Sequence, residues 1–564
     1  MKKINSYTII VCVLLAVVWT SCNKKLEEHP ISNLTPGFFT TQQGIQAGLD
    51  AAYAGFRTIY GPDTYFEMSV GGTDEFQAGV DGTGSLVRYS SGFNTSDGTV
   101  AGIWKNCYTF INTCNGLIDY LPALTGMDAA TKAEMTAEAK FLRANYYFIL
   151  VQNWADVTVN KHFQSAPTLS ATRDKLADAY DLIIQDLNDA IAGLPASPQT
   201  ANVLAGKATK IAAMHVLAKV YLTRGYSSVK QSDDFKNAAS TAASVINTVA
   251  PANGVKLLQD FGKVYAEGNE ANTEVLWTVQ HTTSSAYNGS PTQNNSGPDN
   301  LYVHLFVPRY EAQPGMQRDI YYGRPYARVM PTRWLTDTAF KDKTNDTRYF
   351  KTFQSVWIAN NPANLPLDAN KQPKFKVGDT AIYMPGIELT AAQIAKYRYQ
   401  VVPPSKYVNT LYPTMLKYYD DKRTDLNAPS VRPIIIYRLA ETYLIAAEAL
   451  LQDGRPNEAV PFINAIRERA AYPSGNVAAM DITAADVNLD FILDERAREM
   501  CGELCRWQDL MRTGTLLARV KKHNTDAGPN IKNFHVLRPI PQTQIDGTIT
   551  GPKYDNSRYF PNWN

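Results

Sequence analysis

The stretch FILDERAREMCGELCRWQDLMRTG, residues 491–514, packs glutamate, arginine, aspartate and cysteine into about six helical turns. Such a set could bind a metal, run acid–base chemistry or tie helices together. Spacing separates these readings. Glu495–Arg498, Glu503–Arg506 and Asp509–Arg512 are each three apart, the separation at which opposite charges meet along a helix surface. Ile492, Met500, Leu504, Trp507 and Met511 supply apolar contacts between them. An interhelical ion network accounts for these residue types without a substrate. In GGTDEFQAG, Asp74 sits beside Glu75, but neighbours in sequence point apart, and glycoside cleavage needs two carboxylates facing across a cleft. The acidic loop YYDDKRTD, with Asp420, Asp421 and Asp425, lacks EF-hand spacing and reads as a solvated loop. The seven histidines are scattered, without the paired spacing of a zinc site. No phosphate loop or nucleophile elbow appears. We therefore expect no catalytic residue, no metal and no cofactor.

The elements around these residues are mostly helical. Apolar residues recur at three- and four-residue spacing over 40–60, 99–121, 129–154, 174–195, 207–225 and 234–249. The periodicity stops over 250–430, which is rich in Pro, Gly, Asn and Tyr and holds strand-like pieces such as TEVLWTVQH (273–281). Helices resume at 437 and run to about 520. Residues 439–472 form a 34-residue helix–turn–helix unit with small residues at Ala446, Ala447 and Ala459, the layout of a tetratricopeptide repeat. Residues 212–248 follow the same plan with a longer turn. Cys107 with Cys114, and Cys501 with Cys505, sit at helical spacings that do not bridge, so buried free thiols are expected.

The N-terminus carries an address. MKK, an apolar run and TSC describe a secretory signal too short to span a bilayer, and the cysteine at its end resembles a bacterial lipoprotein signal with lipidation at Cys22. Removing residues 1–21 takes Lys+Arg from 55 to 53, equal to the 53 Asp+Glu. A neutral chain without a basic stripe argues against nucleic acid as a partner. No later run is apolar enough to cross a membrane, so contact with the bilayer is expected through the lipid anchor only.

Several segments together resemble the SusD/RagB family of outer-membrane nutrient-binding lipoproteins. The residues that carry the resemblance are Glu495, Arg496, Arg498, Glu499, Glu503, Arg506, Trp507, Asp509, Leu510 and Arg512, with Leu504 where the family usually has glycine. It extends through 137–157, 207–222, 437–451 and the LRPIPQTQI segment at 537–545. It implies a mostly α fold in which tetratricopeptide-like helix pairs form a right-handed superhelical scaffold with a loop-rich irregular insertion. The organisation expected is a signal peptide (1–21), a lipid-anchored linker (22–35) and a single domain (36–564), whose helical repeats occupy about 40–250 and 437–520 and whose ligand-binding insertion occupies about 250–430. It further implies a non-enzymatic, surface-exposed outer-membrane lipoprotein that captures oligosaccharide for a SusC-like TonB-dependent transporter. A peptide-capturing importer lid and a lipoprotein glycoside hydrolase are the alternatives.

The family's shared motifs are structural, so ligand contacts must be read from residue chemistry. Sugar rings present apolar faces to aromatic side chains, and their hydroxyls need polar partners at the rim. Residues 74–94 and 284–329 combine these groups. The expected ligand-binding residues are Phe76, Gln77, Tyr287, Asn294, Tyr302, Tyr322, Tyr326 and Trp357, whereas Trp334 is expected to pack inward.

Overall fold

The computed structural model describes residues 36–82, 84–198, 206–284, 299–552 and 554. Cys22, Tyr287 and Asn294 lie outside the described residues. Helices dominate, and their N-termini are set by short polar side chains that satisfy free backbone N–H groups. Helix α1 (Gln42–Ala54) is capped by Thr41, α2 (Gly98–Tyr120) by Asp97 and α3 (Ala129–Trp154) by Asp128. Next come α4 (Leu176–Gly193), α5 (Lys210–Gly225, capped by Thr209) and α6 (Asp234–Ser244). Each packs on the next.

The stack does not end at α6. Helix α7 (Leu439–Gln452) packs directly on α6, and α8 (Pro456–Ala470) packs on α7, so residues nearly two hundred positions on continue the same array. The seam is built from small side chains: Ala238, Ala239 and Ala242 on α6, and Ala446 and Ala447 on α7, are all buried. Both helix–turn–helix units expected from the sequence, α5–α6 and α7–α8, are present. Glycine serves the same close approach in α2, where a Cβ on Gly116 would lie 2.4 Å from the Phe39 ring.

The insertion leaves and re-enters the array through a neck. Strand β2 (Val275–Val279) pairs antiparallel with β7 (Ile434–Arg438), Val275 opposite Arg438 and Val279 opposite Ile434. Trp277 anchors this ribbon, meeting Phe56 and Phe141 edge-on and stacking on Tyr437. Beyond the neck the insertion is more ordered than its composition implies. Strands β4 (Val356–Ile358), β5 (Thr380–Tyr383) and β6 (Gln400–Val401) form one sheet over a separate core that includes Tyr310, Tyr322, Trp357, Phe375 and Ile382. Strands this short leave no alternation long enough to read. Strand β1 (Phe76–Ala78) pairs with β3 (Val329–Pro331), joining the N-terminal half to the insertion.

Candidate functional site

The charged stretch at 491–514 folds as α9 (Leu489–Glu499), a turn, and α10 (Arg506–Arg512). The turn holds Gly502 and Leu504 at φ +69° and +64°, a left-handed backbone that a leucine adopts only under strain. The charges do form an ion network, but it is buried rather than laid along a surface. Glu499 accepts from Arg348 (2.9 Å) and also meets Arg438 and Arg469. Glu495 pairs with Arg348 (2.8 Å), Arg467 (3.0 Å) and Arg498 (2.6 Å). Arg438 reaches Glu274 (3.0 Å) at the neck and Glu503 (2.8 Å). Arg496 bridges Glu441 and Asp509, and Arg512 bridges Asp509 and Glu448. Of the three spaced pairs read from the sequence, Glu495–Arg498 and Asp509–Arg512 form. Glu503 instead turns to Lys417 and Arg438, because Arg506 is taken by Asp74 (2.7 Å) and Glu75 (3.4 Å).

This arrangement settles the protonation of the acids. Burial alone would raise the Glu499 carboxyl, but Arg469, Arg438 and Arg348 outweigh it and hold the group well below the usual carboxylate range. Glu495 is held down likewise, against burial, by Arg348, Arg498 and Arg467. Asp74 stays low because Arg506 and Arg519 offset its burial. Its neighbour behaves oppositely: burial pushes Glu75 up to about 8, with only partial relief from Arg506. One ionised and one protonated carboxyl side by side look like acid–base machinery. Both are sealed in the interior, at 0% and 1% exposure, and no substrate reaches them. Trp334 packs inward as expected, beneath the guanidinium groups of Arg519 (4.8 Å) and Arg506 (5.6 Å). The four cysteines of the described chain are free and buried. Asp420 accepts from Ser430 and Asp425 from the Asn427 N–H. Among the described residues no cluster of His, Cys, Asp and Glu is placed to hold a metal ion.

The polar and aromatic surface lies elsewhere. The two segments singled out by composition meet: the Gly79 N–H donates to the Arg328 carbonyl (3.0 Å) and the Asp81 N–H to the Ala327 carbonyl (3.2 Å). The contact needs glycine, since a Cβ on Gly79 would lie 2.1 Å from the Ala327 oxygen. At this junction Asp81 pairs with Arg309, and the Arg328 guanidinium donates to the Asp81 carbonyl (2.7 Å). The Tyr326 ring sits between the guanidinium groups of Arg324 (5.0 Å) and Arg328 (5.5 Å). Gln77 is half-buried and accepts from the Thr525 hydroxyl.

Gln77 and Tyr326 thus reach the junction, whereas the other described candidates do not. Phe76 and Trp357 have 0% exposure, and Tyr302 is fully enclosed, so none offers a ring face to a ligand. Phe76 packs edge-on against Phe306, Tyr302 against Tyr418, and Trp357 lies in the insertion core. Tyr322, at 6% exposure, accepts from the Ile358 N–H (2.6 Å). The exposed ring is its neighbour Tyr321, at 52%, held edge-on by Tyr322 and Tyr419. A second exposed group comprises Tyr397, 5.9 Å from Tyr383 and 5.4 Å from Tyr399 by ring centroids. Sequence reasoning passed over Tyr321, Tyr397, Asp81 and Arg309. No local signal separated them from their neighbours: the Tyr146–Tyr147 doublet is buried in both rings, whereas Tyr321–Tyr322 is split.

The helical array ties most of its interior acids in ion pairs and carries exposed aromatic and polar groups on loops, where binding contacts tend to sit. The chain belongs to the SusD/RagB family: the SusD family model matches residues 273–549, and a second model, described as starch-binding associating with outer membrane, matches 39–222. A SusD-like protein (P2) from Formosa agariphila is 28% identical, covering 100% of this chain and 99% of that one. A SusD homologue from Bacteroides thetaiotaomicron shares the fold at a TM-score of 0.70 and 21% identity, covering 92% of this chain and 97% of the other. A laminarin-binding SusD-like protein aligns at a TM-score of 0.64 and 25% identity, over 91% of this chain and all of the other. Among the described residues no helix is long and apolar enough to cross a membrane.

Proposed function

We propose that this protein is a cell-surface glycan-binding lipoprotein, anchored to the outer membrane through Cys22, that captures oligosaccharide and delivers it to a SusC-like TonB-dependent transporter. The observation that carries the reading is full-length likeness, in sequence and fold together, to a laminarin-binding SusD-like protein. The chemistry at the junction supports it. Sugar hydroxyls both donate and accept, and Gln77, Asp81, Arg309 and Arg328 supply both kinds of partner beside Tyr326; the exposed Tyr321 ring adds an aromatic face on the insertion. The protein works by binding and hand-over, with no bond broken. Closure onto the transporter follows only if the loaded lid makes more contact in the closed state than in the open one.

Calorimetric titration of the protein lacking residues 1–22 tests the reading, using neutral hexasaccharides of glucose, xylose, mannose and galactose beside a set of short peptides. Saturable glycan binding without product release is expected. Peptide binding with no glycan response would overturn the ligand class, and cleavage of any glycan would overturn the non-catalytic reading. A pull-down from solubilised outer membrane should recover a large barrel protein, and its absence would remove the transporter.

A further inference from the structure

A concavity lies away from the junction, on the helical array. It is an open groove of about 620 Å³, within the range of roughly 300–1,000 Å³ typical of small-ligand sites. A pocket of about 220 Å³, which shares Tyr108, Asn160, Thr168 and Gln544, extends it. One wall is a face of α2, on which Ala101, Lys105, Tyr108 and Asn112 recur at helical spacing. The second wall is the loop over residues 160–168, and the third is the short helix Gln542–Gly547.

Side chains beneath the groove hold these walls in place. Asn112 both donates to the Gln164 carbonyl (3.0 Å) and accepts from the Gln164 N–H (2.8 Å). Asn115 and Tyr147 fix the Asn160 carbonyl at 2.9 Å each. The Trp104 indole N–H donates to Gln544 (3.1 Å), and the Thr95 hydroxyl to Gln542 (3.0 Å). The walls come from parts of the chain more than four hundred residues apart, so the groove is preformed rather than a gap between loose loops.

The lining chemistry is selective. Besides tyrosine, Lys105 is the one ionisable side chain on these walls. The side chains of Asn160, Gln164, Ser165, Thr168 and Thr543 have no hydrogen-bond partner among the described residues. Amides and hydroxyls of this kind can each donate and accept, and they surround the half-buried Tyr108 ring, which the enclosed Trp104 supports from beneath. An anionic ligand would find a single cation, and an acyl chain would strand the polar rim. We propose that this groove is a second carbohydrate site, binding an uncharged oligosaccharide independently of the junction.

The test uses the same neutral hexasaccharide panel with three proteins: the parent lacking residues 1–22, a Thr168→Trp/Thr543→Trp double variant that fills the groove from exposed positions, and Tyr321→Ala on the insertion. The parent should titrate with two sites for at least one sugar. The double variant should lose one site, or at least tenfold in its affinity, with an unchanged melting temperature, while Tyr321→Ala keeps that site. A single site insensitive to groove filling overturns the proposal and leaves the proposed function standing. A single site sensitive only to groove filling supports the proposal and moves glycan capture away from the junction. Glycan binding at the groove that appears only after deleting residues 555–564 assigns the groove to the chain's own end and overturns the proposal. So does binding of peptides, and no sugar, there.

Discussion

The turn between α9 and α10 and the junction at Asp81 carry the same residue types, and they are used in opposite ways. Around the turn Glu495 and Glu499 each meet three arginines, and the Trp334 ring lies under two guanidinium groups in a closed interior. At the junction Asp81 has Arg309 beside it and solvent around it, and on the insertion the Tyr321 ring is half exposed. Charge density therefore marks the place where the halves of the fold are tied together. On the reading proposed above, recognition chemistry sits where charges are few and partners are incomplete. The two regions should separate in experiment: one sets stability without touching affinity, and the other does the reverse.

Removing Arg438 strains that separation most. Its guanidinium serves Glu274, Glu499 and Glu503, and Arg438→Met leaves buried carboxylates short of a partner. A loss of about 3–5 kcal/mol is expected from breaking a buried pair on one side. Denaturant unfolding measures it, and the fraction that stays folded should bind glycan with unchanged affinity. A weakened affinity in that fraction would join the two regions.

Next comes pH. Glu495 and Glu499 have depressed values in the folded chain, so the stability they contribute is present above the unfolded carboxylate range and is lost as pH falls below it. Glu75 is raised to about 8, so its contribution is present below the unfolded value and is lost as pH rises through the folded one. Urea unfolding at about pH 5 and about pH 8.5 should therefore show Glu75→Gln gaining on the parent at the higher pH, by on the order of a few kcal/mol. Equal stability of the two proteins at both pH values would mean that Glu75 is ionised throughout.

Much of this division was legible in the sequence, and the limits are physical. The helices, their polar caps and the two helix–turn–helix units follow from local periodicity. The fate of Arg506 does not, because its partner Asp74 is 432 positions away and nothing local distinguishes that pairing from one with Glu503. Within β1, alternation sends Phe76 inward and Gln77 toward solvent, and a three-residue strand gives no pattern from which to assign the faces. Composition singled out two segments that the fold brings together; only the fold says which member of each polar–aromatic set stays outside.

A smaller effect is expected at Leu504, where this chain departs from the family's glycine. Leu504→Gly relieves left-handed strain of about 1–2 kcal/mol, but it surrenders roughly 1.5–3 kcal/mol of leucine burial and about 0.5–1 kcal/mol of backbone entropy. The net expectation is a destabilisation of about 1–2 kcal/mol in thermal unfolding, with affinity untouched. A more stable variant would mean that strain, not packing, dominates the turn.

The finest test uses two adjacent residues. Tyr321 and Tyr322 have the same side chain and opposite exposure, 52% against 6%. Tyr322→Ala removes a ring from the insertion core and strands the Ile358 N–H, so a loss of about 3 kcal/mol in stability is expected. Tyr321→Ala uncovers little that was buried, and its stability should stay within about 0.5 kcal/mol of the parent. Its effect should appear in glycan affinity instead, as a loss of about 1 kcal/mol, roughly fivefold, for one stacking ring. If Tyr321→Ala binds every sugar of the panel as the parent does, the exposed ring is not part of the platform. The capture surface must then be sought around the exposed Tyr397, which the half-buried Tyr383 and Tyr399 flank.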